Sequence, residues 1–268
     1  MIIRIHNWGA DIRDRRRNKR QVPSTSVDVV RDINYSNSNN PQQTLDIHTP
    51  RDTKSLGLVI NVHGGAWVYG DKSLYSHYSD AIAEHGFTVA NINYRLSPKN
   101  KIEDQLTDLA AVMEYFADME NIFLVGDSAG AHLISVYLTR GVSPNIRAAA
   151  FKCGVFDFTM LRHEIRWYMR PFVPRFIRAA TNKGDFLEKY SALENMNLNF
   201  PPTYLMTSRG DYAKFMSVAL GEKLAEHNVH HKYDEYPRGR HVFHLDIRRD
   251  DSKKSVQNMA DFFKKHIN

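Results

Sequence analysis

The 268-residue chain has a single cysteine, Cys153, which excludes an internal disulfide framework and leaves stability to a buried core. Cys153 sits in an apolar run and reads as inert packing. No apolar run approaches the roughly 20 residues of a membrane-spanning helix, and the first residues lack the apolar centre of a secretory signal. A cytoplasmic protein is therefore expected. Neither a Cys/His cluster with zinc-ligand spacing nor a phosphate-cradling P-loop is present, so the chemistry is expected to need no metal and no cofactor. No internal repeat or long low-complexity linker divides the chain, which argues against an array of stacked units.

What is present is enough for one sizeable core. With 42% hydrophobic residues over this length, residues 1–268 read as a single α/β domain. Strand-like runs near residues 58–62, 87–93, 121–125, 148–156, 202–207 and 230–236 alternate with helical patterns. That alternation predicts a mostly parallel central sheet with helices on both faces. Ile102, Leu106, Leu109, Met113 and Phe116 form one apolar helical stripe; Val256, Met259, Ala260, Phe263 and Ile267 form another. The asparagine-rich segment 37–43, with its proline, reads as a hairpin turn.

Two glycine-bearing motifs follow predicted strands. The run Asn121 to Val125 leads into Gly126-Asp127-Ser128-Ala129-Gly130, and residues 131–140 read as a buried helix. A serine between glycines at a strand-to-helix corner is a G-x-S-x-G elbow, whose sharp turn lifts the hydroxyl above the sheet. Upstream, Leu58 to Val62 runs into His63-Gly64-Gly65-Ala66-Trp67. Attack on an ester creates a negatively charged oxygen that needs donors fixed in advance. The NH groups of Gly64 and Gly65, with that of Ala129 after the serine, are the expected donors.

A general base and an orienting acid complete this chemistry. Asp211 follows the strand-like Thr203 to Thr207, and His241 follows the strand-like His230 to Tyr236. A loop after the last strand can carry the His241 imidazole back over Ser128. His244 is the competing base, and Asp157, after the run 148–156, the competing acid. Asp127 is disfavoured, since adjacent side chains at the elbow point to opposite sides of the turn.

With the order serine, aspartate, histidine in place, the chain resembles the α/β-hydrolase superfamily and, within it, the carboxylesterases similar to hormone-sensitive lipase. His63 to Trp67 resembles an HGGG oxyanion segment with alanine at the third glycine, and Gly126 to Gly130 matches the GDSAG elbow. Asn93-Tyr94-Arg95-Leu96-Ser97-Pro98 is similar to the family's YRLAP stretch. The segments 31–35 and 43–48 are similar to the opening hairpin of smaller relatives such as arylformamidases and acetyl or feruloyl esterases. The resemblance spans roughly residues 27–265. It implies a serine esterase acting on small or short-acyl esters through an acyl-enzyme, with Ser128, Asp211 and His241 as triad. The alternatives are an arylformamidase or small-amide hydrolase, or an inactive ligand-binding relative.

Two further segments bear on the substrate. Residues 158–200 interleave Trp167, Tyr168, Met169, Phe172, Phe176 and Ile177 with Arg162, Arg166, Arg170, Arg175 and Arg178. In chains of this kind that connection carries a small helical cap, so Trp67 and Trp167 are the expected pocket walls. The net charge of +6 and the cluster Arg13, Arg15, Arg16, Arg17, Lys19 and Arg20 mark residues 1–22 as a basic arm. No stacking-aromatic module accompanies it, so a solvated arm or one side of a substrate entrance is expected rather than nucleic-acid binding. The expected partner is a small-molecule ester, with no nucleic acid and no transmembrane segment; a homodimer is left open.

Overall fold

The structure, a computed structural model, describes residues 2–141, 143–197 and 199–267, with side chains from residue 9 onward. A helix, α1 (Ile2–Asn18), precedes the hairpin of β1 (Val27–Asn34) and β2 (Thr44–Pro50). Alternation begins at β3 (Leu58–Val62), α2 (Ser76–Ala83), β4 (Thr88–Ile92) and α3 (Ile102–Tyr115). It continues with β5 (Ile122–Asp127), α4 (Ala129–Thr139) and β6 (Ile146–Lys152). The next connection holds α5 (Phe158–Glu164), α6 (Val173–Ala180) and α7 (Ala192–Asn195). The chain closes with β7 (Thr203–Gly210), α8 (Lys214–Glu226), β8 (His231–Arg240) and α9 (Asp250–Lys264).

The eight strands lie in the order β1-β2-β4-β3-β5-β6-β7-β8, giving an α/β-hydrolase sheet. β1 pairs antiparallel with β2, and β2 antiparallel with β4; every other pairing is parallel. The chain steps from β3 outward to β4 and then returns to place β5 on the other side of β3. Strand order reverses there, and the loops leaving β3 and β5 diverge to open a crevice at their carboxyl ends. Val62 is in register with Gly126, so the His63 loop and the Ser128 corner start side by side.

The period-two alternation of the strands sorts the core into two layers. Leu58, Ile60, Val62, Leu124 and Leu205 face one layer with α3, α4 and α8. Val59, Phe123, Val125, Tyr204 and Met206 face the other with α2 and α9. Being buried on both faces, the central strands read as continuous apolar runs. β6 ends at Lys152 rather than running on to residue 156, because Cys153 turns into the left-handed region at φ 48°. Residues 2–18, within the basic arm, are helical. Asn18 of α1 donates to the Ser73 carbonyl, and Tyr69 donates to Asp14, docking the helix beside the loop after β3. Among the described residues, no helix is long and apolar enough to cross a membrane.

Candidate active site

Ser128 occupies the corner between β5 and α4 with φ 50° and ψ −115°, a conformation that costs a non-glycine residue strain. Its neighbours hold it there. The Ser128 NH donates to the Lys152 carbonyl at 3.1 Å, and its carbonyl accepts from His132 NH at 3.1 Å. Gly130 permits the close approach of α4 to the sheet: a Cβ on it would lie 2.1 Å from the Val62 carbonyl oxygen.

The loops after β7 and β8 bring two side chains to this corner. His241 Nε2 lies 2.9 Å from Ser128 Oγ, and His241 Nδ1 lies 2.7 Å from Asp211 Oδ1. Asp211 accepts further bonds from Ala213 NH (3.0 Å) and Thr207 Oγ1 (2.8 Å). Burial alone would raise its pKa. The facing His241 charge and these hydrogen bonds outweigh burial and hold the carboxyl at about 2. Tyr212 stacks on the imidazole, ring centroids 4.2 Å apart.

Neither competing residue reaches the serine. Asp157 caps α5 by accepting from Met160 NH. His244 is buried edge-on against Tyr78, where burial pushes its pKa well down. Asp127 points into the protein, accepting from Tyr75 Oη at 3.0 Å.

The loop after β3 is built as a rigid turn. Gly65, at φ 123°, lies so close to the Tyr69 carbonyl that a Cβ would come within 1.9 Å of its oxygen. The His63 ring stacks on Tyr94 with centroids 4.2 Å apart, and its Nδ1 lies 2.7 Å from the Gly64 carbonyl. Burial drives the His63 pKa down to about 4, so the ring is neutral and can donate there.

Gly64 does not take the donor role expected of it. Its NH turns inward to Tyr75 Oη (2.9 Å) and Asp127 Oδ1 (3.2 Å). Among the described residues, nothing accepts from the NH groups of Gly65, Ala66 or Ala129. Gly65 and Ala66 line the cavity at Ser128, and Ala129 opens α4, where the first NH groups have no intrahelical acceptor. Ala66, which the motif did not single out, thus joins Gly65 and Ala129 among the residues with a free NH beside Ser128. The motif identifies the loop, but which successive NH groups face the serine depends on how the chain leaves β3.

The cavity at Ser128 measures about 230 Å³. Trp67 lines it, only 2% exposed, its indole NH 3.3 Å from His132 Nδ1 and its ring edge-on to Phe158. Trp167 does not line it. At 80% exposure it lies on the outer turn between α5 and α6, with its ring edge-on to Tyr168. The walls from this connection are instead Leu161, Met169, Val173 and Phe176, and α1 adds Arg13, Asp14 and Arg17. Of the connection's arginines, Arg166 alone borders the site's outer recess among the described residues.

The grouping of potential metal ligands found among the described residues is Cys153, Asp211 and His241, whose donor atoms lie within 4.8 Å of one another. Two of its members already bond each other and the serine, so an ion there would break the Ser128–His241–Asp211 chain.

A strained serine between a parallel strand and a buried helix, approached by an imidazole and a carboxylate from later strand ends, defines a protein of the α/β-hydrolase class. A profile of the α/β hydrolase fold matches residues 59–245, and the chain belongs to that family. It is similar to a probable carboxylic ester hydrolase, LipM, of Mycobacterium tuberculosis: 28% identical over 232 residues, covering 75% of this chain and 53% of that one. The chain thus spans about half the length of that relative. Among solved structures it resembles esterase B from Lactobacillus rhamnosis, with TM-score 0.90, 24% identity and coverage of 98% and 93%. It also resembles an esterase from the bacterial hormone-sensitive lipase family, with TM-score 0.82, 15% identity and coverage of 94% and 88%.

Proposed function

We propose that the protein is a serine carboxylic-ester hydrolase for short-acyl esters. The observation that carries this reading is the continuous chain from Ser128 Oγ through His241 to Asp211, at 2.9 Å and 2.7 Å. His241 Nε2 takes the hydroxyl proton as Ser128 attacks the ester carbonyl, and the ionised Asp211 holds the tautomer and stabilises the imidazolium. The NH groups of Gly65, Ala66 and Ala129 receive the developing oxyanion. His241 then protonates the departing alcohol, and water releases the acid by the reverse sequence.

The cavity volume supports the acyl preference. About 230 Å³, bounded by Trp67, Leu161, Val173 and Phe176, has room for a short chain and is below the roughly 300–1,000 Å³ usual for larger ligands. The helices α5 and α6 form the cap of a single domain in this reading. The experiment is hydrolysis of p-nitrophenyl esters from acetate upward, beside N-formylkynurenine and a feruloyl ester. A maximum at acetate to butyrate supports the reading; a maximum at long chains overturns the acyl preference, and turnover confined to the formamide replaces the ester reading by amide hydrolysis.

A further inference from the structure

Beside the catalytic cavity lies a wider recess of about 1470 Å³, bounded by α1, the turn after α5, the end of β8 and the segment before α9. Among the described residues, nine arginines line it and a single carboxylate, Asp246, faces them. Three of the nine are matched: Arg13 and Arg17 pair with Asp14, and Arg248 with Asp246. Arg16, Arg20, Arg166, Arg238, Arg240 and Arg249 have no carboxylate within ion-pair distance among the described residues. In a chain whose whole net charge is +6, the positive excess is concentrated at this one mouth. Gathering like charges in a concavity is unfavourable unless an anion enters, and the concave shape focuses their field.

A second observation points to a ligand. Arg17 borders both the recess and the catalytic cavity. One of its terminal nitrogens meets Asp14 at 3.0 Å, but Nε and Nη2 are fully buried and have no hydrogen-bond partner among the described residues. Buried guanidinium donors left open are costly, and they fit the oxygens of a phosphate or carboxylate.

The recess also has a side. It shares Tyr212, His241 and Val242 with the catalytic cavity, but Ser128, Gly65 and Ala66 line the cavity alone. The histidine of such a triad hands its proton to the leaving group, so the leaving group sits on the histidine's side.

Resting on the ester-hydrolase reading, we propose that the preferred substrates are short-acyl esters of phosphorylated alcohols, with the phosphate of the leaving alcohol held by the arginine recess. Ser128 Oγ bonds to the acyl carbon, the bond from that carbon to the alcohol oxygen breaks, and the serine proton passes through His241 to that oxygen. Water then frees the carboxylic acid, and the phosphate ester is untouched.

The test compares kcat/KM for 1-butyrylglycerol 3-phosphate and neutral 1-butyrylglycerol, in wild type and in an Arg16→Gln/Arg238→Gln variant, at two ionic strengths. Calorimetry with glycerol 3-phosphate and co-sedimentation with phosphatidic-acid vesicles run beside it. The expected preference for the phosphorylated ester is roughly tenfold or more at low salt, shrinking with added salt and in the variant. A ratio near one in wild type, or one that survives both substitutions, overturns the proposal. So does protein that is retained on vesicles while failing to discriminate between the soluble esters, which would make the recess a membrane-docking face. If neither ester turns over, the hydrolase reading fails by itself; glycerol 3-phosphate binding that weakens in the variant then still upholds the anion site, and no binding overturns it.

Discussion

Two buried aspartates lie near Ser128, and their surroundings drive them in opposite directions. Asp211 is held at about 2 because, although burial opposes ionisation, the His241 charge and its hydrogen bonds win. Its contribution to stability is present above the ordinary carboxylate range near pH 4 and is lost as pH falls through about 2. Asp127 is pushed up to about 7 by burial, which the donors Tyr75 and Gly64 offset only in part. Between about pH 4 and pH 7 the folded protein therefore keeps a proton that the unfolded chain has released, and stability falls as pH rises. Asp127→Asn should flatten that slope, read as Tm against pH; an unchanged slope would remove Asp127 as its source. The two tryptophans predict a second contrast. Trp67→Ala should cost roughly 3–5 kcal/mol and shift the acyl profile toward longer chains. Trp167→Ala, at an exposed site, should stay within roughly 0.5 kcal/mol of wild type with the profile unaltered. Denaturant titration and the ester series measure both. Sequence alone could pair Trp67 with the site because it adjoins the glycine turn, but Trp167 carried only composition, and composition does not say which way a cap residue faces.

At the scale of elements, the central strands were legible because each is buried on both faces and so spells an unbroken apolar run. β1 was harder to read: its Val30 is exposed and Asp32 breaks the register with φ 57°, so little alternation survives. The helix α1 was hidden for a different reason. Its last turn is Arg15, Arg16 and Arg17, and a run of charge reads as solvated chain until a partner surface is known. Here that surface is the loop after β3, reached through Asn18 and Asp14. The elbow is the element whose chemistry was most legible, since its glycine is demanded by geometry. Gly130→Ala must displace either α4 or the end of β3, given a Cβ 2.1 Å from the Val62 oxygen. Overpacking of this kind should cost roughly 3 kcal/mol and depress turnover, measured by denaturant unfolding and by p-nitrophenyl butyrate hydrolysis. A variant as stable and active as wild type would show that the corner has slack.

For the whole molecule, topology places the chemistry. The reversal of strand order at β3 opens a crevice between the diverging loops after β3 and β5, while β7 and β8 deliver Asp211 and His241 at the same edge of the sheet. A core in two layers makes that edge rigid, and the positive excess of the chain gathers beside it. The order serine, aspartate, histidine was readable because each follows a strand; the inward turn of the Gly64 NH and the arginine recess were not, since both depend on how segments distant in sequence meet. The proposed hydrolysis depends above all on Ser128 acting as the nucleophile. Its most direct test is labelling with a p-nitrophenyl alkylphosphonate, followed by peptide mass spectrometry and by turnover of p-nitrophenyl butyrate in Ser128→Ala. One adduct is expected on the peptide carrying Ser128, absent from a folded Ser128→Ala variant whose turnover is lower by roughly three or more orders of magnitude. An adduct on another residue, or near-wild-type turnover by that variant, would contradict it.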